Sequence, residues 1–594
     1  MRRTARSRTA AGIAGIMLAG LAIGPATAVP VTPDTPAGPG PTERTSPVEA
    51  RRVDRVPTPR IDWTPCHGYA ECATVRLPLD YDQPDGPTTE VAVLRVKARD
   101  QQRRIGSLFV NPGGPGGAGT EMALVAPFFL GDDVLDRFDV VGVDPRGVGG
   151  SEQIRCFTSV EEQARKLAGL NVAFPWTKAE EQAYVASSRA AGRACSTTGQ
   201  PLSGAMSTAQ VARDMDVLRR AVGDRKLSYL GFSYGSALGQ QYANMFPDRF
   251  RALVIDGVLG PREWVGKPNS AATTQEDRLR SGEGAYRALR EVLARCAKAG
   301  AAGCPLGGGD PAASFDLVAQ RLRAKPVVIE DPDAGPVTFR YSDFVANALI
   351  MLYSPAGYEP LVAMVADLLV LTDPDATKAR RGTVSAALLD RVARARAQVA
   401  RYDDDYVNGL ETFLGVDCTD AYHPGDAMLW PAFADRADRR DPYFGRLWSW
   451  VSSPCARDTW TVRDEDAYLG PFDRRTGAPV LVVGNYWDPS TNYQGAVSAA
   501  RSLPNSRLLS SDSWGHTAYG TSVCVTGAVD RYLLTGTPPA EGTVCVGDLQ
   551  PFATASTGPA ATLRANPADG LVGRGRPGRG GPKRLPPVVA PPLG

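Results

Sequence analysis

Short apolar runs alternate with amphipathic stretches along most of the chain. Alternating apolar positions in Glu90-Val91-Ala92-Val93-Leu94-Arg95-Val96 predict an early half-buried strand. The runs Ile105 to Val110 and Phe138 to Val143, each ending in a glycine-rich turn, predict two more. Between Ala209 and Val222 the residues Val211, Met215, Val217, Leu218 and Val222 recur at the helical period, so this segment is expected to be an amphipathic helix. It leads into the run Leu227 to Leu230, and Ala252 to Ile255 supplies the next strand. Strand, helix and strand in this order predict a mainly parallel α/β sheet whose chemistry lies outside the carboxyl ends of the strands.

From 261 to 464 the pattern changes. Helical periodicity dominates, as in Ala285 to Ala297 and Ala386 to Tyr402, and buried-strand runs are few, which predicts an inserted helical lid. Strand signals return at Pro479 to Gly484 and Arg507 to Ser510. The expected organisation is therefore a core in two parts, 61–260 and 465–552, around the lid. Residues 29–60 are rich in Pro, Thr and Gly and read as a flexible leader or removed pro-segment, with order beginning near Trp63. Residues 553–594 read as a disordered tail carrying the basic cluster Arg574, Arg576, Arg579, Lys583 and Arg584, solvated in preference to tethered on an anionic cell surface.

The amino-terminal end reads as an export signal over 1–28. Arg2, Arg3, Arg6 and Arg8 precede the apolar stretch Ala10 to Ile23, and Ala26-Thr27-Ala28 is a small-x-small cleavage site. The residues after Arg2-Arg3 do not fit a twin-arginine signal, so the general secretory route and an extracellular protein are expected. The apolar stretch is shorter than the roughly 20 residues that span a bilayer, and no stable membrane insertion is expected. Ten cysteines, an even number, fit an oxidising compartment. Sequential neighbours are expected to pair: Cys66 with Cys72, Cys156 with Cys195, Cys296 with Cys304, Cys418 with Cys455, and Cys524 with Cys545. No Cys-x-x-Cys or His-Glu-x-x-His occurs, so neither metal nor other cofactor is expected. Lys and Arg total 66 against 64 Asp and Glu, a balance that gives no global field for nucleic acid.

The candidate chemistry begins at Gly231-Phe232-Ser233-Tyr234-Gly235, directly after Leu227-Ser228-Tyr229-Leu230. A Gly-x-Ser-x-Gly motif between a strand and a helix is the sequence form of a nucleophile elbow, with Ser233 as the nucleophile. A serine nucleophile needs a base, and the chain has only His67, His423 and His516. In this fold the triad runs Ser, acid, His along the chain, which selects His516, just past the last predicted strand, and leaves His67 and His423 to structural or surface roles. Asp488, after the strand ending at Val483, is the expected acid. Its rival is Asp256, at the end of the strand after the elbow, and an Asp-Pro turn is the bland alternative for Asp488. The oxyanion hole is expected from the amide of Tyr234 and from the loop Asn111-Pro112-Gly113-Gly114-Pro115-Gly116-Gly117, with Gly114 preferred and Gly113 possible. That loop lacks the Lys-Ser/Thr ending of a phosphate-binding loop and the spacing of a dinucleotide fingerprint.

Taken together, Pro112-Gly113-Gly114-Pro115-Gly116, Asp144-Pro145-Arg146-Gly147-Val148-Gly149, the elbow, Asp488 and Gly515-His516 resemble the secreted tripeptidyl aminopeptidases, relatives of the prolyl aminopeptidases. The similarity runs from about Trp63 to Cys545. It implies an α/β-hydrolase with a helical lid that cleaves short pieces from peptide substrates with a free N-terminus. Two departures stand out: Pro112 occupies a position where prolyl aminopeptidases usually have His, and Thr517 replaces a glycine often seen after the histidine. An exopeptidase of this kind calls for a lid carboxylate to pair with the substrate ammonium. The resemblance places a Cys-x-Asp near the cleft, which makes Asp420 the preferred candidate, in a segment that a Cys418–Cys455 bridge would rigidify. Asp417, Glu276, Asp277 and Asp404 are the alternatives, and simple helix capping or solvation by Asp417 and Asp420 is the bland reading. A secreted esterase or lipase would use the same triad, whereas an inactive binding protein is opposed by the complete Ser, Asp, His set.

Overall fold

The structure, a computed structural model, describes residues 41–331, 335–397, 406–553, 578–580, 583–587 and 589. The export signal, the start of the leader, Asp404, Arg574 and Arg576 lie outside these residues. Ten strands form the central sheet. They are β1 (Thr64–Cys66), β2 (Ala70–Pro78), β3 (Thr88–Val96), β4 (Gly106–Asn111), β5 (Phe138–Val143), β6 (Leu227–Phe232), β7 (Phe250–Asp256), and then β10 (Val480–Trp487), β11 (Ser506–Trp514) and β12 (Val544–Val546). Two further strands, β8 (Val327–Asp331) and β9 (Gly335–Phe339), pair as a hairpin in the insertion. The sheet order is β1-β2-β3-β5-β4-β6-β7-β10-β11-β12, antiparallel as far as the β3–β5 pair and parallel from β5 onward. Strands β4, β5 and β6 are buried at every position, as parallel strands covered on both faces must be.

Register places three loops beside one another. Asn111 of β4 is level with Gly231 of β6, so the glycine-rich loop leaves the sheet next to the elbow. Asp256 of β7 is level with Phe232 on one side and Val483 on the other. Trp487 and Trp514 pair across β10 and β11, and their rings stack at 5.1 Å with 7° between planes, which fixes where the segments after those strands emerge.

Between β7 and β10 the chain is mostly helical. The helix expected at Ala285 to Ala297 lies within Ser281–Gly303. The one expected at Ala386 to Tyr402 begins inside Lys378–Ala397, and residues 398–402 lie outside the described ones. Aromatic side chains knit these helices together, Phe315 sitting 4.5 Å from Phe344 and 5.0 Å from Tyr443 between ring centroids. The five disulfides join sequential cysteines, with Cα separations from 4.5 to 5.9 Å. No helix among the described residues is long and apolar enough to cross a membrane.

Three expectations need correction. Helix Thr208–Ala221 is not amphipathic in the usual sense, because its polar residues Arg213, Asp214, Asp216 and Arg219 are buried as well. The cause is the second correction: order begins before Trp63, since the stretch read as a flexible leader contains helix Pro47–Asp54, capped by Ser46 Oγ and started by Pro47. Its Glu49 accepts two hydrogen bonds from Arg213, Asp54 accepts from Arg249, and the Val53 carbonyl accepts from Arg220, so the outer face of Thr208–Ala221 is covered. The third concerns the tail, where residues 583–587 lie against the body of the protein and Pro586 is buried.

Candidate active site

The elbow is strained where the motif requires it. Ser233 has φ 55° and ψ −123°, a region that L-residues rarely occupy, and it is the first cap of helix Tyr234–Met245. The flanking glycines are steric necessities. A Cβ at Gly231 would sit 2.5 Å from the Gly235 carbonyl oxygen and from the Tyr229 ring, and one at Gly235 would sit 2.8 Å from Asn111 Oδ1. The Ser233 amide donates to the Asp256 carbonyl at 2.9 Å, which ties the elbow to β7. Ser233 is 6% exposed, at the positive end of a helix dipole.

Asp488 follows β10 and is almost completely buried. Its Oδ1 accepts from the amides of Ser490 (2.9 Å) and Thr491 (2.8 Å), and its Oδ2 from Thr491 Oγ1 (2.9 Å) and the Thr517 amide (3.0 Å). Both oxygens also lie within reach of His516 Nδ1, at 3.0 and 2.9 Å. Burial alone would raise the carboxyl, but His516 and these donors outweigh it and hold it below the usual Asp range. With Nδ1 engaged, His516 presents a buried Nε2 that has no hydrogen-bond partner among the described residues. The Cε1 edge of the ring lies where a Cβ on Gly257 would come within 3.2 Å, one residue beyond the carbonyl that holds the Ser233 amide. The lid reaches the histidine too: the His516 amide donates to the Tyr353 carbonyl at 2.9 Å, and the two rings are 5.1 Å apart.

Asp256 does not face the imidazole nitrogen. Its carboxylate accepts from the amides of Ala518 (2.9 Å) and Tyr519 (2.7 Å), fixing the loop after His516. Burial pushes it up to about 7 despite those two amides. In the glycine-rich loop, Gly113 and Gly114 have φ of 94° and 111°. A Cβ on Gly113 would lie 2.7 Å from Ser233 Cβ and 3.0 Å from the Tyr234 nitrogen, so only glycine allows this loop so near the nucleophile. The Gly113 amide is already donated to Asn111 Oδ1 at 2.9 Å. Asn111 was not singled out from the sequence, although an Asn directly before a Pro-Gly-Gly turn is a usable signal.

Asp420 does not occupy the place expected of it. It is 1% exposed, and its oxygens accept from the Thr208 amide (2.7 Å), the Thr208 hydroxyl and Trp264 Nε1 (2.9 Å). Thr208 in turn hydrogen-bonds the Tyr234 hydroxyl at 2.6 Å, so Asp420 braces the residue after Ser233. Burial raises its carboxyl to about 6. Nearby, Asp417 and Glu276 are also fully buried, and both are pushed up by desolvation and by neighbouring carboxylates. Glu276 accepts from Ser452 Oγ at 2.8 Å, while Asp417 Oδ1 has no hydrogen-bond partner among the described residues. Asp277 instead pairs with Arg440 at 3.0 Å.

His67 is exposed in the turn between β1 and β2. His423 is buried with Nε2 3.0 Å from the Asp417 carbonyl, and burial drives its imidazole down to about 3. Among the described residues, the two clusters with metal-ligand geometry, Cys66-His67-Cys72 and Asp417-His423-Cys455, each depend on cysteine sulfur that is committed to a disulfide and has no thiolate to offer. In the Asp144 to Gly149 motif, Asp144 accepts from the amides of Thr120 and Gly150, and the fully buried Arg146 pairs with Asp214 at 2.7 Å. Both are framework.

A family model described as alpha/beta hydrolase fold matches residues 106–302, and one described as TAP-like protein matches residues 441–545. The serine protease Hip1 of Mycobacterium tuberculosis is 32% identical over 516 residues, covering 82% of this chain and 91% of that protein. The tripeptidyl aminopeptidase of Streptomyces coelicolor is 30% identical over 505 residues, covering 83% and 87%. A Mycobacterium tuberculosis protein named carboxylesterase B is 32% identical over 509 residues, covering 82% and 91%. Fold, elbow and relatives agree that this is a serine hydrolase with an α/β-hydrolase fold, and the chain belongs to the tripeptidyl aminopeptidase family.

Proposed function

We propose that the chain is a secreted serine exopeptidase that releases short pieces from peptides with a free N-terminus, through an acyl-enzyme on Ser233. The reading rests above all on one observation: His516 Nδ1 is held by Asp488 while its Nε2 has no hydrogen-bond partner among the described residues, and the imidazole lies against Gly257, the residue after the Asp256 carbonyl that holds the amide of Ser233 in its elbow. Asp488 fixes the tautomer, Nε2 takes the serine proton and returns it to the leaving amine, and the amides of Tyr234 and Gly114 receive the oxyanion. Secretion fits the five disulfides and the signal-like residues 1–28.

The ammonium partner is reassigned. Asp420 is fully engaged elsewhere, whereas Glu276 and Asp417 form a buried acidic pair in which Asp417 Oδ1 has no hydrogen-bond partner among the described residues. A substrate ammonium beside them would relieve their mutual repulsion. The deciding experiment compares free and N-acetylated tripeptide anilides. Turnover of the free peptides alone, with Glu276→Gln and Asp417→Asn raising KM at least about tenfold, is the expected result. Equal turnover of acetylated peptides defeats the exopeptidase reading. A secreted esterase is the second reading, favoured by the relative named carboxylesterase B, and hydrolysis of acyl esters without any peptide cleavage would establish it.

A further inference from the structure

Residues 583–587 and 589 lie against two of the loops that build the site. Their anchorage begins on the acidic helix Asp132–Arg137. Arg579 pairs with Asp133 (2.8 Å) and Asp136 (3.1 Å), the Gly580 amide donates to Asp132 (2.7 Å), and Lys583 donates to Asp132 (3.0 Å). The Arg584 amide then donates to the Phe128 carbonyl at 2.8 Å, and its guanidinium lies 5.6 Å above the Phe128 ring. Leu585 and the buried Pro586 pack on Gly520, four residues beyond His516, where an added Cβ would meet Pro586 at 3.2 Å and Leu585 at 3.4 Å. Val589 reaches Gly117 in the oxyanion loop, where an added Cβ would lie 2.8 Å from its methyl. Gly117 in turn donates its amide to the Gly113 carbonyl, and Gly113 abuts Ser233.

We infer that these loops form a docking groove for an extended, proline-containing peptide, and that the chain's own basic tail occupies it as an autoinhibitory strap. Three properties favour a strap over a structural brace. Leu585-Pro586-Pro587 is an apolar peptide outside any helix or strand, and a peptide is the chemical class of the substrates proposed above, on which reading this inference rests. The loop after His516 is already held by Asp256 and Asp488, and the glycine-rich loop by Asn111 and its own Gly117–Gly113 bond, so they do not need it. The outermost anchor is an exposed ion pair, Arg579 being 64% and Asp133 71% exposed, and the Lys583–Asp132 pair is partly exposed; such pairs are individually weak and screened by salt. They keep the segment in place because tethering makes its effective concentration high.

The test compares the full chain with a truncation ending at Pro577 and with the full-length double variant Arg579→Glu, Lys583→Glu. Two fluorophosphonates label Ser233, one small and one carrying a peptide arm, alongside tripeptide anilide turnover. Truncation should speed peptide-arm labelling and anilide turnover by about fivefold or more at low salt, leave the small probe unchanged, and abolish a rise in rate between about 20 mM and about 0.3 M salt. The double variant should fall between the two, which keeps the test decisive if the truncated chain folds poorly. A synthetic peptide spanning 578–594 should inhibit the truncated enzyme. Equal or slower peptide-arm labelling in both altered proteins overturns the strap. Labelling reports access to Ser233 whatever the enzyme hydrolyses, so faster labelling without peptide turnover would count against the exopeptidase reading and leave the strap standing.

Discussion

Replacing Asp488 by Asn tests the proposed site most sharply, because an amide is nearly isosteric with the carboxylate and differs in what it can accept. The two oxygens of Asp488 receive the amides of Ser490, Thr491 and Thr517, the Thr491 hydroxyl, and His516 Nδ1. An asparagine has one acceptor oxygen, so whichever way it is turned, its NH2 group faces at least two of these donors. The least costly escape is for the imidazole to change tautomer, letting Nδ1 accept from the amide and moving the proton to Nε2. There it blocks the nitrogen that must take the serine proton. Loss of a charge-assisted hydrogen bond alone is worth about 1.5–3 kcal/mol, whereas the wrong tautomer costs roughly 10⁴-fold in kcat, or about 5.4 kcal/mol at about 1.36 per decade. The tautomer effect therefore dominates. The assay is kcat/KM on a tripeptide anilide, run beside Asp256→Asn. Asp256 is pushed up to about 7 and is substantially protonated near neutrality, so an amide already resembles its native state and the loss there should stay within about tenfold. If Asp488→Asn remains within about tenfold of the parent while Asp256→Asn falls further, the assignment of the acid is wrong.

Gly113→Ala puts a methyl 2.5 Å from the Phe232 carbonyl oxygen at a φ of 94°, and displacement of the oxyanion loop should cost about 10²-fold or more in kcat while far-ultraviolet circular dichroism is retained. The raised carboxyl of Asp256 predicts a stability trend as well. The folded state keeps its proton to about 7 and the unfolded state loses it near about 3.9, so this residue's contribution falls as pH rises through that window. Asp256→Asn should thus gain on the parent in urea midpoint between about pH 4 and about pH 7, and a constant difference would contradict the burial argument. Turnover should be indifferent to chelators, and loss of activity restored by zinc would contradict the metal-free mechanism.

The elbow was legible because its determinants are contiguous: Gly231, Ser233 and Gly235 are each fixed by atoms within a few residues or on the adjoining strand. The pairing of Asp488 with His516 was legible from chain order, and the disulfides from adjacency. Asp420 was not. Nothing in Val416-Asp417-Cys418-Thr419-Asp420 states which side chain turns toward Thr208 and Trp264, since those partners lie far away in sequence. Helix Pro47–Asp54 was overlooked because it has few apolar residues and is secured by Arg213, Arg220 and Arg249 from the core, although Ser46-Pro47 with Glu49 was a readable start signal. The contacts of the tail with the body of the protein are illegible for the same reason: its partners are scattered carboxylates and glycines, which leave no period in the sequence.

The bond from the His516 amide to the Tyr353 carbonyl bears on how such an enzyme can be re-engineered. It is tempting to regard the insertion as an exchangeable module that sets selectivity while the sheet supplies chemistry. Here His516, the proposed general base, hangs by its own backbone from that module, so a transplanted insertion lacking a carbonyl at the Tyr353 position would detune the imidazole even with every sheet residue intact. Chimeras and directed-evolution libraries should therefore keep the turn around Tyr353 to Pro355 with the host and vary the helices beyond it, and divergence within the family should find these two parts changing together.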